Sequence, residues 1–174
     1  MGAIKDPEAA RRRDEAFVRL VEEHQASLLR TCYLCLGDRS LAEDAVQETF
    51  VKAYRSMASF RGECSQHTWL VKIAMNVCRD LRRTAWFRLT DRRVTPDMLP
   101  ERAAAASSRD VELTEAVLHL PVRLRETVLM YYYHGMTVME IAGALGVTQS
   151  SVSGRLQRAR HKLRDALEGR ETHA

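Results

Sequence analysis

Apolar residues recur along this chain at steps of three and four, and never in the sustained alternation that a half-buried strand needs. The period predicts an all-α fold. A first helix is expected from about Asp14 to Leu36, with Phe17, Leu20, Val21, Leu28 and Leu29 facing inward. Gly37, in "GDRS", suits a left-handed helix terminus. Ser40 followed by Glu43 has capping-box spacing and predicts a second helix to about Met57. Its buried side would be Leu41, Ala45, Val46, Phe50, Ala53, Tyr54 and Met57. After the loop "SFRGECSQ", a third helix from about His67 to Trp86 would bury Trp69, Ile73, Val77 and Leu81 at steps of four.

The pattern then breaks. Two Pro, an Ala run and two Ser in "TPDMLPERAAAASS" mark residues 91–109 as a linker, with a partial Ala-rich helix as the alternative. Four more helices are predicted beyond it: Val111–Leu120, Arg123–His134, Val138–Leu145 and Gln149–Leu167, punctuated by Pro121, Gly135 and Gly146. The chain reads as two small helical bundles, 14–90 and 110–169, joined by a flexible linker, with tails at 1–13 and 170–174.

Charge sharpens this picture. The formal net charge of +4 over 174 residues is mild, but its distribution is uneven. Residues 149–164 carry five cations and no acid, alongside an apolar stripe of Val152, Leu156, Ala159 and Leu163. A second basic cluster, "RDLRRTAWFRLTDRR" at 79–93, has six Arg against two Asp. A helix needing only solubility would mix acids with its bases, since like charges one turn apart repel. Such clustering is expected where a polyanion is the partner.

"TVMEIAGALGVTQSSVSGRLQRAR" has helix-turn-helix spacing. Ala142 is small where two helices would cross, Gly146 falls at the turn, and Val152 returns the second helix to a shared core. Thr137 with Glu140 forms a capping box, and Thr148 can cap the second helix. Gln149, Ser150, Ser151 and Ser153 then occupy the end that meets base edges when such a helix enters the major groove. A solvated basic surface helix shares much of this pattern, and helix-turn-helix geometry also serves protein-binding domains.

Residues 41–83, "LAEDAVQETFVKAYRSMASFRGECSQHTWLVKIAMNVCRDLRR", closely resemble the second conserved region of extracytoplasmic-function (ECF) sigma factors. Residues 120–163, "LPVRLRETVLMYYYHGMTVMEIAGALGVTQSSVSGRLQRARHKL", resemble their fourth. The resemblance implies a bacterial transcription initiation factor, not an enzyme, with 14–90 as sigma region 2 and 110–169 as sigma region 4. It implies core RNA polymerase and promoter DNA as partners, and a dedicated anti-sigma factor as inhibitor.

Carried over residue by residue, it assigns Asp44, Gln47, Glu48, Val51 and Arg55 to polymerase docking; without it, this row is a solvated acidic face. Phe60 and Arg61, with Lys72, Asn76, Arg79 and Arg83, fall to the −10 element. Trp69 suits the core better than a base contact. Gln149, Ser150, Ser151, Ser153, Gly154, Arg155, Gln157, Arg158, Arg160 and Lys162 fall to the −35 element. Gly154 stands where Ser is common in the family, and Thr148 and Ser150 replace a frequent Pro and Gly; these departures bear on base preference. The resemblance further implies a monomer when free, without membrane insertion of its own. The expected location is cytoplasmic, or at the inner membrane face through a membrane anti-sigma factor.

No phosphate-binding Gly-rich loop, Ser–His–Asp set or HExxH spacing appears, so no catalytic residue, metal or cofactor is expected. Cys32 and Cys35, in "CYLC", have metal-pair spacing, and Cys64, Cys78 and His67 could complete a site. A second close pair is missing, which favours buried thiols over metal or redox sensing. A stand-alone helix-turn-helix regulator and an enzyme acting on nucleic acid are the other classes compatible with the charge pattern.

Overall fold

A computed structural model describes residues 7–83 and 108–171. Every regular element among these residues is helical: α1 (Pro7–Leu36), α2 (Arg39–Ser56), a 3₁₀ turn (Met57–Ser59), α3 (Gln66–Arg83), α4 (Ser108–Leu118), α5 (Val122–Val128) running into a π turn (Leu129–Tyr133), α6 (Val138–Leu145) and α7 (Gln149–Glu171).

Several boundaries differ from expectation for local reasons. Helix α1 starts at Pro7, so 7–13 are helix and not tail. Proline suits a first turn, where its missing N–H has no partner anyway. Gly37 at φ 71° ends α1. Asp38 is therefore already the extended residue that caps α2, its Oδ1 accepting from the Leu41 amide at 2.9 Å. The cap expected from Ser40 and Glu43 is displaced by this earlier one. Helix α4 begins at Ser108, inside the expected linker, and α7 continues past Leu167 to Glu171. The rest of that linker (91–107), residues 84–90 and residues 172–174 lie outside the described residues.

The buried faces are wider than single stripes. In α2, Ala42 and Thr49 join Ala45, Val46, Phe50 and Ala53 inside, while Leu41, Tyr54 and Met57 are half-buried. Thr49 is tolerated there because its hydroxyl donates to the Ala45 carbonyl at 2.6 Å. In α3 the buried set is Thr68, Leu70, Val71, Ala74, Met75, Val77 and Cys78. Trp69, Ile73 and Leu81, expected at the centre, sit half-buried at its edge. The helix expected over Arg123–His134 is interrupted: its end widens into the π turn, with the His134 amide donating to the Leu129 carbonyl at 3.0 Å.

Helices α1–α3 form one bundle and α4–α7 the second, but the two do not stand apart. One apolar cluster runs from Leu28, Cys32, Val71 and Cys78 in the first to Leu129, Met130, Met136 and Ile141 in the second. Helix α1 touches both α4 and α5. This seam governs what the functional surfaces can reach.

Candidate functional site

The helix-turn-helix is built from local parts. Thr137 and Glu140 cap α6 reciprocally: the Thr137 amide donates to Glu140 Oε2 at 2.9 Å, and the Glu140 amide donates to Thr137 Oγ1 at 3.2 Å. The Thr137 amide, and then the Thr137 hydroxyl donating to the same Oε2 at 2.9 Å, hold the Glu140 carboxyl below the usual carboxylate range. Gly146, at φ 64°, closes α6, and Thr148 Oγ1 accepts from the Ser151 amide at 3.2 Å to start α7. Val152, Leu156 and Ala159 are buried, the last among Leu120, Leu124 and Val128. Burying three apolar side chains stabilises the crossing by several kcal/mol, about 1.5–3 kcal/mol for each full-size one.

The opposite face of α7 stays in solvent. Gln149, Ser150, Ser151, Ser153, Gln157, Arg158, Arg160 and Lys162 are exposed, and Gly154 and Arg155 are half-buried. Arg155, Arg158 and Ser151 line a groove of about 420 Å³ with Pro121, Leu124 and Arg123, with no carboxylate in its wall. The Arg155 guanidinium is depressed by burial first, then by repulsion from Arg123, Arg158 and Arg79. A cleft of mutually repelling cations has the charge and the donors that phosphate oxygens would complement. Arg123 went unnoticed in the sequence because nothing local sets it apart from a solvated cation.

In the first bundle, Asp44, Gln47, Glu48, Val51 and Arg55 form one exposed row on α2, with Val51 42% exposed. Phe60 stacks on Trp69, ring centroids 4.7 Å apart and 27° from parallel. A pocket of about 320 Å³ adjoins them, lined also by Ser56, Ser59, Arg61, Glu63, Cys64 and Lys72. Trp69 thus serves the core and the pocket at once. Asn76 and Arg83 are exposed, and Lys72 and Arg79 are half-buried.

Residues 20–88 match Sigma-70 region 2, and residues 110–163 match Sigma-70 region 4. The chain is 33% identical over 156 residues to the ECF RNA polymerase sigma factor SigL of Mycobacterium tuberculosis, covering 86% of this chain and 87% of SigL. This chain belongs to the ECF RNA polymerase sigma factors. It is also similar to SigW of Bacillus subtilis, 28% identical over 167 residues and covering 88% and 89% of the two chains. Among solved structures, CnrH in complex with the cytosolic domain of CnrY is 26% identical, with TM-score 0.64 and 90% of each chain covered. The sigma factor RpoE of Bartonella quintana, solved with the anti-sigma factor NepR, shares the fold at TM-score 0.74 and 20% identity, covering 88% of this chain and 98% of RpoE. An ECF sigma factor is a transcription initiation factor; its partners are core RNA polymerase and promoter DNA.

In this sigma factor the seam covers part of the face expected to read DNA. Arg79 Nη2 donates to the Ala144 carbonyl at 3.0 Å, and Nη1 to the Leu145 carbonyl at 3.4 Å. Both are end carbonyls of α6, where the helix dipole is negative. Asn76 Oδ1 also accepts from Arg79, so two expected −10 contacts are engaged with each other. Three residues on, Arg82 pairs with Glu126 of α5, their side chains 12% and 5% exposed. Lys72, Asn76, Arg79 and Arg83 do share the α3 face, but α6 occupies Arg79.

Cys32, Cys35 and Cys78 make a buried group, whereas Cys64 is half-buried in the wall of the pocket beside Phe60. Cys35 Sγ donates to Met75 Sδ at 3.9 Å, and the neighbouring Cys78 thiol and burial push Cys35 up. Cys78 is likewise pushed up, by the neighbouring Cys32 thiol and by burial. Thiols held protonated in an apolar core are poor nucleophiles and ligands. Among the described residues no group of His, Cys, Asp or Glu could hold a metal ion, and no helix is long and apolar enough to cross a membrane.

Proposed function

We propose that the two bundles of this sigma factor divide promoter recognition between melted and duplex DNA. Helix α7 lies in the major groove of the −35 element, with Ser153, Gly154, Arg155, Gln157, Arg158 and Arg160 against base edges and phosphates. Gln149, Ser150, Ser151 and Lys162 flank that stretch. The carboxylate-free groove supports adding Arg123 as a phosphate contact. In the first bundle, the pocket beside Phe60 and Trp69 receives an unstacked base of the −10 element, helped by Arg61, Lys72, Asn76, Arg79 and Arg83. The α2 row of Asp44, Gln47, Glu48, Val51 and Arg55 docks on core polymerase. On this reading region 2 spans 14–90, region 4 spans 110–169, and 91–109 tether them.

The observation that carries this reading is α7 itself: a rod buried on one side against α5 and α6, cationic and unobstructed on the other. Because Arg79 is held by α6, the free chain (a monomer on this reading) is closed, and the promoter-reading form has its bundles parted. Control by an anti-sigma factor completes the proposal; a membrane-anchored one would hold the chain at the inner membrane face.

The test is to add the purified chain to core polymerase lacking other sigma factors and map transcript starts on genomic DNA. Discrete start sites sharing a two-part upstream sequence are expected. Arg158→Ala should reduce initiation at them about 5- to 150-fold, the range of one side chain's base discrimination of about 1–3 kcal/mol. Failure to associate with the polymerase at all would refute the reading.

A further inference from the structure

Three histidines meet across the seam and serve none of the surfaces above. His67 Nε2 of α3 lies 2.9 Å from Nδ1 of His134, the residue that follows the π turn. His134 Nε2 lies 2.7 Å from Thr31 Oγ1 on α1. The His24 ring, also on α1, is 5.2 Å from that of His67. His134 is thus tied on both ring nitrogens to the other bundle.

Donor counting assigns each proton. Thr31 gives its only hydroxyl proton to the Ser27 carbonyl at 2.9 Å, so its oxygen accepts from His134 Nε2–H. Neutral His134 is then an acceptor at Nδ1, and His67 donates to it through Nε2–H. One extra proton can sit on His67 Nδ1, leaving that bond in place, or on His134 Nδ1, which requires His67 to change tautomer and accept; a second sets two N–H donors head to head. Even the first places a charge where little can balance it. Facing the pair are Glu23, His24 and Arg30 from α1, and Tyr133 from the π turn. The carboxylate among them, Glu23, is 74% exposed and lies 3.9 Å from His24, at the far end of the ladder. Arg30 lies over the Tyr133 ring and brings no counter-charge to the pair.

We propose that the His67–His134 pair is a proton-sensitive clasp: neutral, it holds the two bundles closed; protonated, it releases them and uncovers Arg79. This rests on the proposed role of Arg79 at the promoter. Burial, and then repulsion from His67, pushes His134 down to about 3. His67 is lowered too, by burial and by His24. The sign follows from linkage. A histidine released into water titrates near 6.5, above its closed value, so closing expels a proton. The clasp is fully effective above that value and weakens as pH falls below it. For His134 alone, the closed-to-open ratio drops about tenfold between pH 7.5 and 5.5.

Hydrogen–deuterium exchange of the full chain measures this ratio even when the open form is rare. The segments to follow are 66–83 and 122–136, with rates corrected for the intrinsic pH dependence of exchange. Seam opening should rise about tenfold from pH 7.5 to 5.5 in the parent chain, and less than threefold in His134→Gln. If that variant does not close at pH 7.5, His134→Asn takes its place, with the same flattening expected. A pH-independent parent chain, or variants that open as steeply as the parent, overturns the clasp. Transcript mapping at pH 7.5 separates the two readings. Normal initiation by a chain with no pH-dependent opening removes the clasp alone, whereas failure to bind polymerase removes the sigma-factor reading beneath it.

Discussion

Glu126→Gln strips the charge from a buried partner of Arg82 and nearly preserves its shape. The two side chains are 5% and 12% exposed, so in the closed form the guanidinium would be left in a poorly solvated seam. Burial already lowers the Arg82 pKa, the mark of a cation short of water. Removing one partner of a buried pair costs about 3–5 kcal/mol. The Gln carbonyl can still accept a hydrogen bond, so the low end of that range, about 3 kcal/mol, is the appropriate figure. That is about two decades in an equilibrium constant. Because the partners lie on different bundles, parting them returns Arg82 to water and relieves the cost without unfolding either bundle. Small-angle scattering of the full chain at pH 7.5 should therefore show a larger radius of gyration for Glu126→Gln. The double variant Arg82→Met, Glu126→Leu should stay closed, since apolar replacement of a whole buried pair is neutral or stabilising by about 1–4 kcal/mol. An unchanged radius in the single variant, or equal opening in the double, would refute the reasoning.

Two other perturbations test local elements. Gly146→Ala places a Cβ in open space, so its cost is purely the left-handed backbone at φ 64°. A loss of about 1–2 kcal/mol is expected by chemical denaturation of the second bundle, and an unshifted midpoint would contradict the turn geometry. Arg123→Ala should weaken binding of the polymerase holoenzyme to all promoter duplexes alike and flatten the salt dependence of log K by about 0.9. An unchanged slope would remove Arg123 from phosphate contact.

How much of this was legible in the residues alone depended on the range of each interaction. The helix-turn-helix was, because its determinants (the Thr137–Glu140 box, the left-handed Gly146, and the Val152–Leu156–Ala159 stripe) all act within a turn or two of chain. The cap of α2 was misplaced by two residues, since Gly37 ends α1 so abruptly that Asp38 takes the role given to Ser40. The buried side of α3 was misjudged for a different reason. Trp69, Ile73 and Leu81 mark one edge of a face that α1 and α2 cover broadly, and periodicity finds an edge as readily as a centre. Most candidate DNA and polymerase residues are legible as polar positions off the apolar stripes of α2, α3 and α7, though Lys72, Arg79 and Arg155 prove half-buried; their roles come from the family resemblance.

Periodicity, caps and clustered charge, each a matter of neighbouring residues, determined an all-helical chain with two bundles and a cationic reading helix. Only the tertiary structure decided that the bundles close on each other. Arg82 with Glu126, Arg79 with Ala144 and Thr31 with His134 lie 44, 65 and 103 residues apart in the chain. Pairing at such separations depends on how whole helices are oriented and what water they exclude, and no spacing rule along a sequence encodes either.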